Sequence, residues 1–122
     1  MGVVLIFVGG GLGSLMRYGV AVLLASPTRL LPYGTLLVNL LGCLLLGYLM
    51  ASPLLTTRLS EPMRLGLGTG LLGGFTTFST FGVESMKLFQ TGELLVLLGY
   101  TLASVLGGFA AAYVGMRLAS GG

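Results

Sequence analysis

The stretch Gly73-Gly74-Phe75-Thr76-Thr77-Phe78-Ser79-Thr80-Phe81-Gly82 lies at the centre of an apolar run spanning 62–89. One straight α-helix over that run would be about 42 Å long, more than a hydrocarbon core of about 30 Å. Adjacent glycines weaken a helix, and Ser and Thr hydroxyls can take over backbone groups once the ladder opens. Unwound backbone at membrane depth is tolerated only inside protein or beside a wet cavity, and channels and transporters place ion sites at such interruptions. The stretch therefore predicts a membrane helix broken near 73–80. Freed carbonyls of Gly73, Gly74 and Thr76 suit a cation. Freed N–H groups and the hydroxyls of Ser79 and Thr80 suit an anion. The competing reading is a continuous, glycine-kinked helix with Ser and Thr bonded back to the previous turn, in which Phe75, Phe78 and Phe81 form a packing stripe.

Outward from this stretch, three more apolar runs cover about 2–25, 33–52 and 93–117, each near the roughly 20 residues that span a bilayer core. Ser26-Pro27-Thr28-Arg29 with Pro32, Ser52-Pro53 through Glu61-Pro62, and Thr91-Gly92-Glu93 punctuate them. Pro62, after Ser60 and Glu61, suits a first helical turn, where its missing N–H costs nothing. The expected fold is an all-α membrane protein, one domain over 1–122, with four transmembrane helices and the third one broken. The first run is no signal peptide: a basic leading region is missing, and Gly9-Gly10-Gly11 and Arg17 interrupt it.

Composition agrees. Hydrophobic residues make up 55% of the 122-residue chain and charged residues 7%, and the mean hydropathy is +1.04. A soluble domain carries about 25% charged residues. Glycine, at 22 residues, suits close helix packing in lipid. Gly99, Ala103, Gly107, Ala111 and Gly115 share one helix face, and Gly9 with Gly13 and Gly66 with Gly70 and Gly74 repeat the spacing.

Six basic residues oppose three glutamates, scattered singly near the ends of the runs. Such a pattern fits headgroup anchoring and excludes a nucleic-acid surface. With four crossings, Arg58, Arg64 and Arg117 share one side, against Arg29 and Lys87 on the other. That bias is weak under the positive-inside rule, so insertion in both orientations and an antiparallel dimer are open to this chain. Four short helices enclose little by themselves, which also favours an oligomer.

Catalysis is excluded by inventory. There is no His and no Asp, so neither a Ser-His-Asp triad nor a histidine metal site can form, and Cys43 reads as an inert buried thiol. The intramembrane polar groups are instead neutral. Asn39 brings an amide to mid-membrane, and Tyr100 and Ser104 offer two hydroxyls one turn apart; interhelical hydrogen bonds would explain both equally well. Phe78 and Phe81 can present positive ring edges to a small anion. Arg17 reads as an anchor or a carbonyl cap. Glu84 faces either a vestibule or a nearby cation such as Lys87.

Gly73-Gly74-Phe75-Thr76-Thr77-Phe78-Ser79-Thr80-Phe81 resembles the signature of the CrcB/Fluc fluoride channel family. Gly34-Thr35-Leu36-Leu37-Val38-Asn39-Leu40-Leu41-Gly42 is similar to its second-helix motif, and Gly9-Gly10-Gly11-Leu12-Gly13-Ser14-Leu15-Met16-Arg17-Tyr18 to its first. The resemblance covers nearly the whole chain. It implies a multi-pass, dual-topology antiparallel homodimer in the cell (inner) membrane, with two fluoride pores and a central structural Na+ that is not transported. Carried over by position, the carbonyls of Gly73 and Thr76 would hold the sodium. Phe78, Phe81, Asn39, Ser79, Thr80, Tyr100, Ser104 and Thr35 would line the fluoride pore, and Arg17 matches a family arginine. Where the resemblance implies a further fourth-helix hydroxyl, this sequence has Gly108 and Ala112. The implied function is passive export of cytoplasmic fluoride. A small proton-coupled multidrug exporter is the rival, and it needs a deep carboxylate that the first run lacks; there is also no Trp.

Overall fold

Proline and hydroxyl caps set where each helix of the computed structural model begins and ends, and the structure describes residues 1–121. Among these residues every regular element is helical. Helix α1 (Gly2–Leu23) stops short of Pro27, which disfavours helical backbone at the residue before it. Helix α2 (Tyr33–Ala51) ends at Ser52, whose backbone turns extended and whose Oγ accepts from the Leu55 N–H at 3.2 Å. That cap starts α3 (Pro53–Arg58), a short helix inside the expected connection. Six residues are too few for a hydrophobic period to register in the sequence. Ser60 then caps α4 (Glu61–Leu65), with Pro62 in the first turn.

From α4 the chain continues without interruption through a π-helical segment (Gly66–Leu72) and α5 (Gly73–Phe75). Residues 76–78 are not helical, and α6 (Ser79–Gln90) resumes beyond them. The π segment is an addition to the expected α-helix; Gly66, Gly68 and Gly70 leave the ladder free to widen. Its end is shared, because the Gly73 N–H reaches both the Gly68 and Gly70 carbonyls. Gly92, at φ 78°, closes α6: its N–H reaches Phe89 O at 3.1 Å, and the Glu93 N–H reaches Leu88 O at 2.9 Å. Helix α7 (Leu94–Ala119) completes the described chain.

Helices α1, α2 and α7 are long and apolar enough to cross a membrane. They form two tight pairs, α2 on α7, and α1 on the π segment and α5. Both rest on glycine. A Cβ at Gly13 would strike the Leu71 carbonyl and lie 2.8 Å from the Phe75 N, and one at Gly115 would strike the Leu44 carbonyl. Gly99, at the head of the expected stripe on α7, has nothing within 4 Å, so that stripe packs only in its later part. Few apolar side chains are buried, whereas residues such as Phe7 and Leu95 are more than 80% exposed. A surface of that kind is a membrane protein's.

Candidate ion site at the helix break

The break is narrower than the composition suggests. Gly73, Gly74 and Phe75 stay helical, and the chain leaves the helix at Thr76, with ψ at 160°. The Thr76 N–H and its hydroxyl both donate to the Leu72 carbonyl, each at 3.1 Å, which ends the first arm. Thr77 then starts the second: its Oγ1 accepts from the Thr80 N–H at 3.2 Å and contacts the Thr80 Oγ1 at 3.2 Å.

Between the arms, Asn39 of α2 clamps the open backbone. Its Oδ1 accepts from the Thr77 N–H at 2.8 Å, and its Nδ2 donates to the Thr77 carbonyl at 2.9 Å. Arg17 of α1 donates from Nε to the Gly74 carbonyl at 3.0 Å. Two side chains from two other helices thus satisfy backbone that the break would otherwise orphan. Among the described residues no hydrogen bond reaches the carbonyls of Gly73 or Thr76. Those two oxygens remain open.

Both residues border a groove of about 430 Å³ that also takes in Asn39, Phe78, Phe81 and Ser104. Phe78 is 82% exposed. Its ring lies 5.7 Å from Phe81, and Phe81 lies 5.0 Å from Tyr100, both pairs tilted. Tyr100 is fully buried and donates its hydroxyl to Glu84 Oε1 at 2.9 Å. Ser104 Oγ is buried without a hydrogen-bond partner among the described residues. The groove is therefore mostly apolar, bordered by Asn39, Ser104, the tilted Phe78–Phe81 ring pair and the two residues whose carbonyls are open.

The remaining expected residues lie elsewhere. Arg17, Thr35 and Thr80 line a smaller cavity of about 130 Å³ together with Thr77. Ser79 is exposed beside Lys87 in a third hollow. Two expectations change. Glu84 does not pair with Lys87; Tyr100 takes it, because a buried phenol needs an acceptor. Asn39 lines the groove, but its amide oxygen and one N–H are committed to Thr77.

Two residues were not singled out in the sequence. Thr77 joins the clamp to the start of α6, and the polar Asn39 at the same membrane depth was its only sequence signal. Gly42 makes room for Thr76, since a Cβ there would overlap the Thr76 methyl. Nothing local in α2 announces that contact.

Three helices apolar enough to cross a membrane, packed with a discontinuous helix that borders a mostly apolar groove, define a small polytopic membrane protein. The chain belongs to the CrcB family: the family described as CrcB-like protein, Camphor Resistance (CrcB), matches over residues 4–116. A fluoride-specific ion channel FluC of Chloroflexus aurantiacus is 49% identical over 116 residues, which cover 93% of this chain and 90% of that protein. Its namesake in Paracoccus denitrificans is 46% identical, covering 93% and 90%. That of Chlorobium chlorochromatii is 44% identical, covering 93% and 88%. These relatives are ion channels, and the chain is not an enzyme.

Proposed function

We propose that this chain is a passive, fluoride-selective channel that lets cytoplasmic fluoride leave down its gradient. The observation that carries the reading is the tilted Phe78–Phe81 ring pair, with Ser104, in an otherwise apolar groove, in a chain 49% identical to a named fluoride channel. Fluoride is small and hard. Neutral donors and positive ring edges hold it weakly, and an ion held weakly can leave again. Fluoride enters cells as neutral HF and ionises inside, so a selective leak suffices to lower its concentration.

The fourth crossing belongs to the interrupted segment, residues 61–75 followed by α6, and the chain sits as a multi-pass protein in the cell (inner) membrane. The functional unit is an antiparallel homodimer, dual in topology. One chain leaves the groove between α2, the interrupted segment and α7 open, and a second copy closes it into a pore. The exposed Phe78 ring favours such a cover.

A structural sodium fits the open carbonyls. Gly73 and Thr76 supply hard, neutral oxygens, the donor type that hard cations take. No group of three or more His, Cys, Asp or Glu among the described residues competes for it. Two oxygens per chain are too few, so the same two from a second copy would complete the set. The ion would neutralise carbonyl dipoles at the dimer centre and is not itself carried. Within the chain, Asn39 holds Thr77, Arg17 holds Gly74, and Tyr100 holds Glu84; these bonds orient the path.

Fluoride release from liposomes containing the purified protein, read with an ion-selective electrode, tests the proposal. Rapid fluoride efflux without comparable chloride efflux is expected. Silence toward fluoride, with proton-linked uptake of a cationic drug, would instead establish the exporter reading. That reading would have to work with Glu84, which is bonded to Tyr100, since α1 carries no acid.

A further inference from the structure

The junction of α1 and α2 carries a site of different chemistry. Leu24 at the end of α1 and Leu36, Leu37 and Leu40 on α2 line a groove of about 600 Å³ rimmed by Arg29 and Tyr33. The Arg29 guanidinium lies 5.6 Å from the centre of the Tyr33 ring, which limits where the charge can go. The connecting turn is ordered by its own bonds: Ser26 Oγ to Thr28 Oγ1 at 3.0 Å, and the Arg29 N–H to Ser26 O at 3.4 Å. Among the described residues no carboxylate pairs with Arg29, and no acid lines the groove.

The position of the groove selects its occupant. Helix α2 is apolar enough to span a membrane and begins at Tyr33. Arg29 and Tyr33 therefore stand at headgroup level, where Tyr and basic side chains concentrate. Leu36, Leu37 and Leu40 follow one and two turns deeper. Helix α2 also starts without a side-chain cap, so first-turn N–H groups add positive potential at the same level. A ligand matching this sequence of environments has a negative head joined to an apolar tail.

We propose that the α1–α2 groove binds an anionic phospholipid, with the phosphate on Arg29 and one acyl chain along Leu36, Leu37 and Leu40. Basic pockets between membrane helices take anionic headgroups, each Arg adding roughly 1 kcal/mol near the surface. The site is independent of which ion the protein conducts.

Native mass spectrometry of the full chain in a non-ionic detergent tests this, with phosphatidylglycerol and phosphatidylcholine of identical acyl chains as probes. The wild-type protein should retain phosphatidylglycerol preferentially. Arg29→Gln should weaken that retention about fivefold and leave phosphatidylcholine unchanged. Arg58→Gln, the same change of charge outside the groove, should alter neither. Leu37→Asn should weaken both lipids. Equal retention by wild type and Arg29→Gln overturns the proposal. A wild-type protein that retains no phosphatidylglycerol also overturns it. Displacement of the lipid by inorganic phosphate would show that charge alone is read, and would overturn the role of the acyl groove.

Discussion

Asn39 uses both ends of one amide to hold the N–H and the carbonyl of Thr77, its carbonyl oxygen accepting and its NH2 donating side by side. Asn39→Ala should lower stability by about 1–2 kcal/mol, since membrane hydrogen bonds are each worth less than their isolation suggests. A melting curve in detergent reads this as a fall of several degrees. Asn39→Asp keeps the acceptor for the Thr77 N–H, loses the donor, and adds a negative charge in the groove. Its carboxylate would face the Thr77 carbonyl and carry an unpaired charge, so it should be less stable than Asn39→Ala and should abolish fluoride efflux from liposomes. Equal efflux in wild type and Asn39→Asp would remove Asn39 from the path. The aromatics make a separate prediction. Phe78→Ile or Phe81→Ile removes a positive ring edge from the path, so fluoride efflux should drop while dimer formation persists. Unchanged flux in both variants would exclude these rings from the pore. These residues were legible as polar or aromatic groups at membrane depth. Which donors were spent internally was not, because Asn39 and Thr77 are 38 positions apart and Arg17 and Gly74 are 57 apart.

At the scale of elements, the interrupted segment is held by its neighbours as much as by its own composition. Helix α1 lies against the π segment and α5 at backbone distance, and the contact tolerates no Cβ at Gly13. Gly13→Ala should therefore cost about 1–3 kcal/mol through forced displacement of Leu71 and Phe75. Gly11 has nothing within 4 Å, so Gly11→Ala should stabilise α1 by up to about 1 kcal/mol through helix propensity. Melting temperatures of the two variants in one detergent should move in opposite directions; a common direction would refute the packing argument. The four-residue glycine spacing announced close helix packing in the first, third and fourth runs, and the structure pairs α1 with the interrupted segment. It did not distinguish Gly99, which contacts nothing, from Gly115, which admits the Leu44 carbonyl. The π segment was likewise hidden, because a widened ladder and an α-helix draw on the same glycine-rich sequence.

For the whole molecule, the groove beside the break is open on one chain, with Phe78 exposed at its edge, and the proposed pore and sodium site need a second copy. Dimer content should track activity: fluoride efflux should fall with the square of protein density at high dilution in lipid, once monomers predominate. A linear dependence would mean that one chain suffices. Replacing Na+ with a large organic cation during purification should lower both the melting temperature and the efflux, and returning Na+ should restore them. Insensitivity of both would remove the ion from Gly73 and Thr76.

What the sequence determined by itself is what depends on local composition. Apolar runs of membrane length, a segment too long to cross as one helix, and a Gly-Gly and hydroxyl cluster at its centre are each read from neighbours in the chain, as is the lack of His and Asp. The tertiary structure decided how the cluster is used. It confined the break to 76–78, assigned Asn39 to Thr77, Arg17 to Gly74 and Tyr100 to Glu84, and left the Gly73 and Thr76 carbonyls free. The reason is physical. An unpaired polar group is costly inside a membrane, and which partner is within reach depends on helices that meet in space while lying far apart in sequence.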